Sequence, residues 1–362
     1  MDPRERFLRI PKQLHDWQVY EHAKTAFYEI LFSSHLLGIF RFFHRNAVLV
    51  LTYHDVLPKG FPQNNFLFGE TVTIEEFEWQ LDFISKHYNP VSLPQLLDWL
   101  EGGSPLPDRA VVLTFDDGHV NNLKYVLPPL RERGIPFTCF VVAAALGQRK
   151  LLWFEEGYYR IFFTKAKVWS LRNGEQLEIE TTKQKATACA TFFTMCRTLS
   201  ESEQEMEISS LRSQLPLEQP QEFFPDRFEF LSAADLTTLS DNGVAIGAHT
   251  MTHPILASLS TKTAEKEIEL SKCLLEQALG SPVKAFAYPF GMPQVDFSTR
   301  DLECARKAGF ALAFAANSGF VTKDSDRFAL RRFNIGRMSR AQFATTTSGA
   351  LDFFKRLLGL EN

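Results

Sequence analysis

Short apolar runs alternate with longer stretches in which apolar residues recur at helical spacing along most of the chain. Such short runs predict buried strands, and the amphipathic stretches between them predict helices. The segments that we interpret as strands are residues 47–53, 110–115, 137–142, 244–248, 283–288, 310–314 and 331–335. Strands that alternate with helices pair in parallel through right-handed crossovers. The pattern predicts an α/β protein with a distorted (β/α)7-type barrel, and the first strand lacks the GxGxxG of a dinucleotide-binding fold.

Both ends of the chain fall outside this alternation. Residues 1–45 are a predicted N-terminal helical segment that closes with Arg41 and Arg45, cations that suit a helix C-terminus. One interpretation is a helix packed on the domain. The other is an interfacial helix in peripheral contact with a membrane, which the aromatic density of the segment keeps open. The predicted barrel domain takes residues 46–345, and residues 346–362 are a predicted C-terminal helix.

Residues 150–230 interrupt the alternation inside the barrel domain. Asn173 and Gly174 lie between alternating residues and predict a type I′ hairpin. A polar helical stretch and a segment rich in proline and glutamine follow. We interpret this region as a hairpin and helical insertion on the barrel, because its apolar content is too low for a core of its own.

Composition narrows the classes of function. The 362 residues are 45% hydrophobic, and a formal net charge of −4 gives no basic field that would attract nucleic acid. The five cysteines show no CxxC pair, and no clear signal peptide is present, which fits free thiols in a reducing compartment. No apolar run reaches the length of about 18 residues that predicts a spanning helix. We therefore expect a cytoplasmic protein that is membrane-associated only if the N-terminal helix binds lipid.

Four predicted strands run into short motifs that contain carboxylates, imidazoles or a proline turn. These motifs are DDG at 116–118, HTMTHP at 249–254, PFG at 289–291 and HD at 54–55. The carboxyl ends of parallel barrel strands lie on one face, where active sites are built. Two histidines four residues apart can point the same way from one helical turn and supply two metal ligands, with one carboxylate as the third. A coordination position left open is typical of a catalytic metal site.

The order and spacing of these motifs resemble the polysaccharide deacetylase family, carbohydrate esterase family 4, also called the NodB homology domain. The resemblance spans about residues 47–337 and includes TFDDG at 114–118, HTMTHP at 249–254 and YPFG at 288–291. LTYHDV at 51–56, LLWFEE at 151–156 and LRRFNIG at 330–336 support it. The leading YHxV motif resembles a subgroup in which the barrel is circularly permuted.

The resemblance implies a metal-dependent hydrolase that removes an acetyl group from an N-acetylated sugar of a glycan or glycolipid precursor. It implies that Asp117, His249 and His253 are the ligands of a divalent metal, most often Zn²⁺. Without a secretion signal, we expect a carbohydrate precursor or a lipid-linked sugar rather than bulk extracellular polysaccharide. The same site could serve an O-acetyl esterase or a deformylase, and a decayed barrel would be a non-catalytic carbohydrate-binding protein.

The resemblance also implies the remaining catalytic roles. Asp116 corresponds to the general base that takes a proton from the attacking water, and His54 to the general acid that protonates the leaving amine. The backbone N–H of Phe290 corresponds to a donor for the tetrahedral oxyanion, because the preceding proline has no N–H.

One position departs from the family's pattern. Many members carry an arginine two residues before the motif's proline, and this chain has Ala287 there. Arg332, at the end of another predicted strand, could orient Asp116 in its place. The alternative is that Arg332 is a surface or helix-facing arginine.

Three neighbouring residues have open interpretations. His119 follows the DDG turn where an aromatic residue is more usual, and it either lines the cleft or covers it. Asp55 either hydrogen-bonds His54 or caps its loop. Trp153 is either a cleft wall that stacks on a sugar face or part of the core.

Overall fold

The computed structural model describes residues 14–34, 36–61, 69–217 and 225–357. It divides into two compact units, Met1–Arg45 with Met338–Asn362 and Asn46–Arg337. Residues 338–345, predicted to end the barrel domain, fall in the same unit as the N-terminal helices, because the helix that begins at Arg340 packs along them.

Most strands of the larger unit belong to one sheet. The strands are β1 (Leu49–Tyr53), β2 (Asp55–Leu57), β3 (Thr71–Thr73), β4 (Asn89–Pro90), β5 (Ala110–Phe115), β6 (Phe137–Val141), β7 (Val168–Ser170), β8 (Gln176–Glu178), β9 (Ala245–Ala248), β10 (Ala285–Ala287), β11 (Leu312–Phe314) and β12 (Phe333–Asn334). Seven of them follow the order β11-β10-β9-β6-β5-β1-β12, with β4 added beside β5. All neighbours in this sheet are parallel.

These seven strands are the seven that the apolar runs predict, and they confirm the (β/α) architecture. The sheet curls into a half-barrel, and an isolated parallel bridge between Phe314 and Leu330 draws its two edges together. Inward-facing side chains such as Val50, Val112 and Phe140 are fully or almost fully buried in one hydrophobic core. Because the strands are parallel, their carboxyl ends lie along one edge of the sheet.

Helices connect the strands. The α-helices are α1 (Leu14–Ser33), α2 (Leu37–Phe43), α3 (Ile74–His87), α4 (Leu93–Leu100), α5 (Leu127–Glu132), α6 (Trp153–Phe163), α7 (Thr182–Cys196), α8 (Glu201–Gln214), α9 (Pro225–Phe228), α10 (Ala233–Asp241), α11 (Thr261–Leu279), α12 (Thr299–Lys307), α13 (Arg340–Ser348) and α14 (Ala350–Leu357). Ser92 caps α4 in a reciprocal pair of hydrogen bonds with Gln95. Gly280 ends α11 in the left-handed conformation that glycine favours.

One predicted helix departs from regular geometry. The sequence of residues 123–133, which is followed by Gly134, predicts a single α-helix, but Asn122–Val126 is π-helical and only α5 is α-helical. Pro128 and Pro129 come shortly afterwards. Because proline has no backbone N–H, neither residue can donate the hydrogen bond that a regular α-helix makes to a carbonyl of the preceding turn. π-Helical turns often lie at functional sites, and this one places Asn122 beside the end of β1.

The insertion, residues 150–230, has a hydrophobic cluster that its composition did not predict. The side chains of Trp169, Phe192, Leu211 and Phe228 are buried there with those of other residues from α6, α7 and α8. Gly157 lets α6 approach so closely that an added Cβ would lie 2.0 Å from a ring carbon of Phe192. The insertion shares this cluster with Leu57 and Phe61, which lie outside it in sequence, and it remains within the Asn46–Arg337 unit.

The predicted hairpin forms in the insertion, but its turn differs from the prediction. Strands β7 and β8 pair antiparallel, and the turn between them spans residues 171–175. Gly174 has a φ of 88° while Asn173 does not have a positive φ, whereas a type I′ turn needs both. The loop, residues 171–175, is longer than the two residues of a type I′ turn. Gly174 adopts the left-handed conformation in it, and Asn173 does not.

The smaller unit consists of helices. Phe27 of α1 and Phe40 of α2 contact Phe354 of α14, with ring centroids 5.2 and 5.9 Å away. No single helix in the described ranges is long and apolar enough to cross a membrane. The segments Lys24–Ser33 and Leu37–Phe43 would together have the necessary length and apolar composition, but they are bent by 83° relative to each other.

Candidate active site

The four polar motifs meet at the carboxyl edge of the sheet. After β5, the N–H of Asp116 donates to the carbonyl of Tyr53 at 2.9 Å, which extends the pairing with β1 by one residue. The chain then turns sharply, because Asp117 and Gly118 both have positive φ, 72° and 81°. A Cβ on Gly118 would lie 3.0 to 3.2 Å from Val141, so glycine also suits the close approach to β6.

Asp117, His249 and His253 form the group whose geometry suits a metal ion. Each offers one ligand atom, and these atoms all lie within 4.8 Å of one another in a buried position. Asp117 Oδ1 is 3.4 Å from His253 Nε2 and 3.7 Å from His249 Nε2. The three predicted ligands therefore come together, although they are more than 130 residues apart in sequence at the extremes.

The tautomer of His249 follows from its partner. Its Nδ1 lies 2.7 Å from the carbonyl oxygen of Ala287, and because a carbonyl only accepts, Nδ1 must carry the proton. Burial lowers the pKa of His249 to about 4, so the ring is neutral near pH 7. Its Nε2 lone pair therefore points toward Asp117, as a metal ligand requires.

Asp117 completes a donor set that fits a cation. Burial alone would raise the pKa of its carboxyl group, but the adjacent His253 holds that pKa well below its usual range. Asp117 Oδ1 is buried and receives no hydrogen bond from the residues that the structure describes. A buried ionised oxygen needs a partner. Because two imidazole nitrogens face the same point, a divalent ion is a partner that fits all three atoms.

The two histidines reach this position by a different route from the one predicted. Residues 249–253 form an irregular turn after β9 rather than a helical turn. Thr250 and His253 have positive φ values of 63° and 62°, and the N–H of His253 donates to Thr250 Oγ1 at 3.0 Å. The four-residue spacing thus brings the rings together through left-handed residues, a conformation that costs about 1–3 kcal/mol per residue.

Asp116 is held by Arg332. The guanidinium donates two parallel hydrogen bonds of 2.7 Å to the two carboxylate oxygens, and its Nε donates to the carbonyl of Ala315 at 2.9 Å. Both side chains are buried. Burial raises the pKa of Asp116, but Arg332 outweighs it and the net pKa is lowered. Arg332 therefore reaches the carboxylate that an arginine at position 287 would otherwise orient, and it is not a surface residue.

His54 has a carboxylate neighbour that sequence reasoning missed. Its Nε2 lies 3.4 Å from Glu70 Oε2, and its backbone carbonyl accepts from Asn122 Nδ2 at 3.2 Å. Burial lowers the pKa of His54, but Glu70 and the buried aspartates raise it more, so the net pKa is raised. Glu70 is held near the site because Gly336 packs on Gly69, where an added Cβ would lie 2.3 Å from the carbonyl oxygen.

Asp55 belongs to a buried ionic cluster and matches neither of its two interpretations. It lies 3.1 Å from His119 Nδ1, accepts from Asn121 Nδ2 at 2.7 Å, and pairs with Arg227 Nε at 2.8 Å. Arg227 also pairs with Glu155 at 2.6 Å. His119 is fully buried here, so it does not line a cleft. Because Glu155 and Arg227 belong to the insertion, the cluster joins the insertion to the ends of β1 and β5.

Aromatic rings from the insertion and from the turn after β10 surround the histidine side of the site. Phe290, with a φ of 58°, places its ring 4.8 Å from that of His253. Trp153 is half-buried, donates from Nε1 to the carbonyl of His253 at 3.1 Å, and stacks on Phe193 with a centroid distance of 6.0 Å. Trp153 is thus a packing residue of the site wall, and its contact with a sugar stays a prediction.

Comparisons with known proteins show the family of this chain. The family model for polysaccharide deacetylases matches residues 103–170 and 176–313, and the chain belongs to this family. A curated relative is the poly-beta-1,6-N-acetyl-D-glucosamine N-deacetylase of Escherichia coli K12, 34% identical over 86 residues. That match covers 24% of this chain and only 12% of the relative's length.

Solved structures show the same fold. IcaB from Ammonifex degensii aligns with a TM-score of 0.54 and 20% identity over 84% of this chain and 97% of that one. The Streptococcus pyogenes deacetylase PplD in complex with acetate also gives 0.54, with 16% identity over 83% of this chain and 98% of that one. The circular permutation suggested by the YHxV motif stays a prediction.

Proposed function

We propose that this protein is a metal-dependent hydrolase that removes the acetyl group from an N-acetylated sugar. The observation that carries the proposal is the buried group of Asp117, His249 and His253, whose ligand atoms lie within 4.8 Å of one another. Asp116, fixed by Arg332, and His54, beside Glu70, flank this group. A base, an acid and a three-ligand metal site together are what amide hydrolysis needs.

Asp117, His249 and His253 would hold the metal. Two imidazole nitrogens and one carboxylate suit Zn²⁺ better than Mg²⁺ or Ca²⁺, which prefer all-oxygen sites, so Zn²⁺ is the proposed ion. When bound, such an ion polarises the amide carbonyl and lowers the pKa of water. The neutral His249 ring and the ionised Asp117 are already in the protonation states that ligation requires.

The proposed base is Asp116. Its lowered pKa keeps it ionised near neutral pH, so it can accept a proton from the attacking water. The two hydrogen bonds from Arg332 fix the plane of the carboxylate, so that little conformational freedom is lost when the proton moves. Arg332 is in this account a positioning residue.

The proposed acid is His54. The adjacent Glu70 favours its protonated form, and a proton on the ring can pass to the amine nitrogen as the C–N bond breaks. The N–H of Phe290, on the chain that follows β10, is the proposed donor to the tetrahedral oxyanion.

The proposed substrate is a glycan that contains N-acetylglucosamine or a lipid-linked precursor of one. The name of the Escherichia coli relative supports the sugar and the N-acetyl linkage. We further propose a cytoplasmic location at a membrane. The free cysteines, of which Cys139, Cys189, Cys196 and Cys304 are buried, suit a reducing compartment.

An assay that measures released acetate and formate tests the function. The full chain is stripped with a chelator, reloaded with Zn²⁺, and offered β-1,6-linked N-acetylglucosamine oligomers, an O-acetylated sugar and an N-formylated one. We expect Zn²⁺-dependent acetate release from the N-acetylated oligomers, and almost none from Asp117→Ala. Faster cleavage of the ester or the formamide would contradict the N-deacetylase assignment. Sugar binding without release of any acid would show a non-catalytic binding protein.

A further inference from the structure

Helices α1 and α2 expose a dense group of apolar side chains. In the part of the chain that the structure describes, ten large hydrophobic side chains are exposed, and six of them fall within residues 30–43. Phe43 is 74% exposed and Ile30 is 64% exposed. Together these six form what we call the apolar patch: Ile30, Phe32, Leu36, Ile39, Phe42 and Phe43. Single exposed apolar residues are ordinary, but a local concentration of this kind marks an interaction surface.

Helix α2 exposes apolar side chains to solvent, whereas an ordinary surface helix exposes its polar side. Leu37 is buried and Arg41 is half-buried, while Ile39, Phe42 and Phe43 face solvent. Ile39 and Phe43 are four residues apart and lie on one side of the helix. The outer side is therefore the apolar side, and Phe353 of α14, 49% exposed and 5.4 Å from the Phe40 ring, adds to it.

The charges around the patch indicate what covers it. Residues 29–45, which span the patch, contain Arg41 and Arg45 and one acidic residue, Glu29, at the end away from them in sequence. The Arg45 guanidinium lies 4.2 Å from the centre of the Phe42 ring and donates to the Phe42 carbonyl at 3.1 Å. Arginine beside aromatic rings is suited to the interface of a bilayer, where rings enter the acyl boundary and cations meet anionic headgroups. A second copy of the chain would instead bring two basic groups together.

We propose that the apolar patch docks on the surface of a bilayer that contains anionic lipid. In this proposal the helices lie in the interface, since no single helix among the described residues is long and apolar enough to cross a bilayer and the two segments are bent by 83° relative to each other. The inference concerns lipid binding and stands apart from the proposed deacetylase activity, since it is measured without a sugar substrate.

Vesicle co-sedimentation of the full chain tests the proposal. The vesicles contain three parts phosphatidylcholine to one part phosphatidylglycerol, or phosphatidylcholine alone. We expect binding that is stronger with the anionic lipid. We expect Ile39→Ser/Phe43→Ser to lower the affinity by about tenfold or more, since it removes two of the six large apolar side chains of the patch, including the most exposed one. The matched control is Val168→Ser/Leu270→Ser, which changes two exposed apolar residues elsewhere, 43% and 50% exposed, and should bind like the wild type.

Further measurements distinguish the possible outcomes. Circular dichroism and acetate release verify that the double variant is folded, and Arg45→Gln should weaken binding to the anionic vesicles only. Equal binding by the patch variant and the wild type would overturn the proposal. A lipid-free dimer that Ile39→Ser/Phe43→Ser dissociates would identify a second copy as the occupant. Retention in membranes after alkaline carbonate extraction would show a broken span instead of surface docking.

Discussion

At the scale of single residues, charged neighbours outside the motifs set the protonation states of the proposed base and the proposed acid. Asp116 is ionised because Arg332 faces it, and the protonated form of His54 is favoured because Glu70 lies 3.4 Å away. His249 is neutral because burial lowers its pKa, and the carbonyl of Ala287 keeps the proton on Nδ1 so that Nε2 has the free lone pair. The motifs supply the reacting groups, while residues far away in sequence determine their protonation.

Replacement of Arg332 tests its positioning role. Arg332→Met removes two charge-assisted hydrogen bonds, each worth roughly 1.5–3 kcal/mol, so kcat should fall by about tenfold or more while bound zinc is retained. The matched control is Arg331→Met, an exposed neighbour that should keep the wild-type rate. Steady-state kinetics and metal analysis of both variants provide the measurement. An unchanged kcat in Arg332→Met would remove the role.

Replacement of Glu70 tests the assignment of His54 as the acid. Glu70 raises the pKa of His54, so Glu70→Gln should lower it. An acid must be protonated to act, so the alkaline limb of the kcat/KM profile should move to lower pH. Glu75→Gln, whose partner is the exposed Lys59 at 3.2 Å, is the control and should leave the profile in place. A limb that does not move in Glu70→Gln would argue against His54 as its source.

At the scale of elements, the buried ionic cluster fastens the insertion to the sheet. Arg227 of α9 pairs with Asp55 at the start of β2 and with Glu155 of α6. All three side chains are buried, so each charge depends on the others for compensation. The insertion is thereby held beside the metal-site residues, where its Trp153 donates to the carbonyl of His253.

Replacement of Arg227 therefore should be costly. Arg227→Met leaves two carboxylates buried without their cation and should lower the free energy of unfolding by about 3–5 kcal/mol. Arg212→Met is the control, because Arg212 is 42% exposed where it pairs with Glu156 and such pairs contribute about 0–1 kcal/mol. Urea unfolding of both variants measures the difference. Similar losses in the two variants would show that the buried cluster has no special part in stability.

At the scale of the whole molecule, the sequence predicted the features that depend on a pattern of neighbouring residues. Buried parallel strands are continuous apolar runs, so all seven could be recognised, and the motifs at their ends identified Asp117, His249 and His253. The contacts of Glu70, Arg227 and Glu155 could not be recognised, since ion pairs between distant segments leave no local pattern. Backbone detail was also missed where left-handed residues replace regular turns, as at Thr250 and His253.

Metal content is the most direct test of the central claim that one ion is held between the sheet ends. After Zn²⁺ loading and gel filtration, elemental analysis of the wild type should give about one zinc per chain, and Asp117→Ala should lose it. Asp116→Asn, a change at the adjacent aspartate, should keep its zinc because that side chain binds Arg332 instead. Zinc retained by Asp117→Ala, or absent from the wild type, would contradict the account.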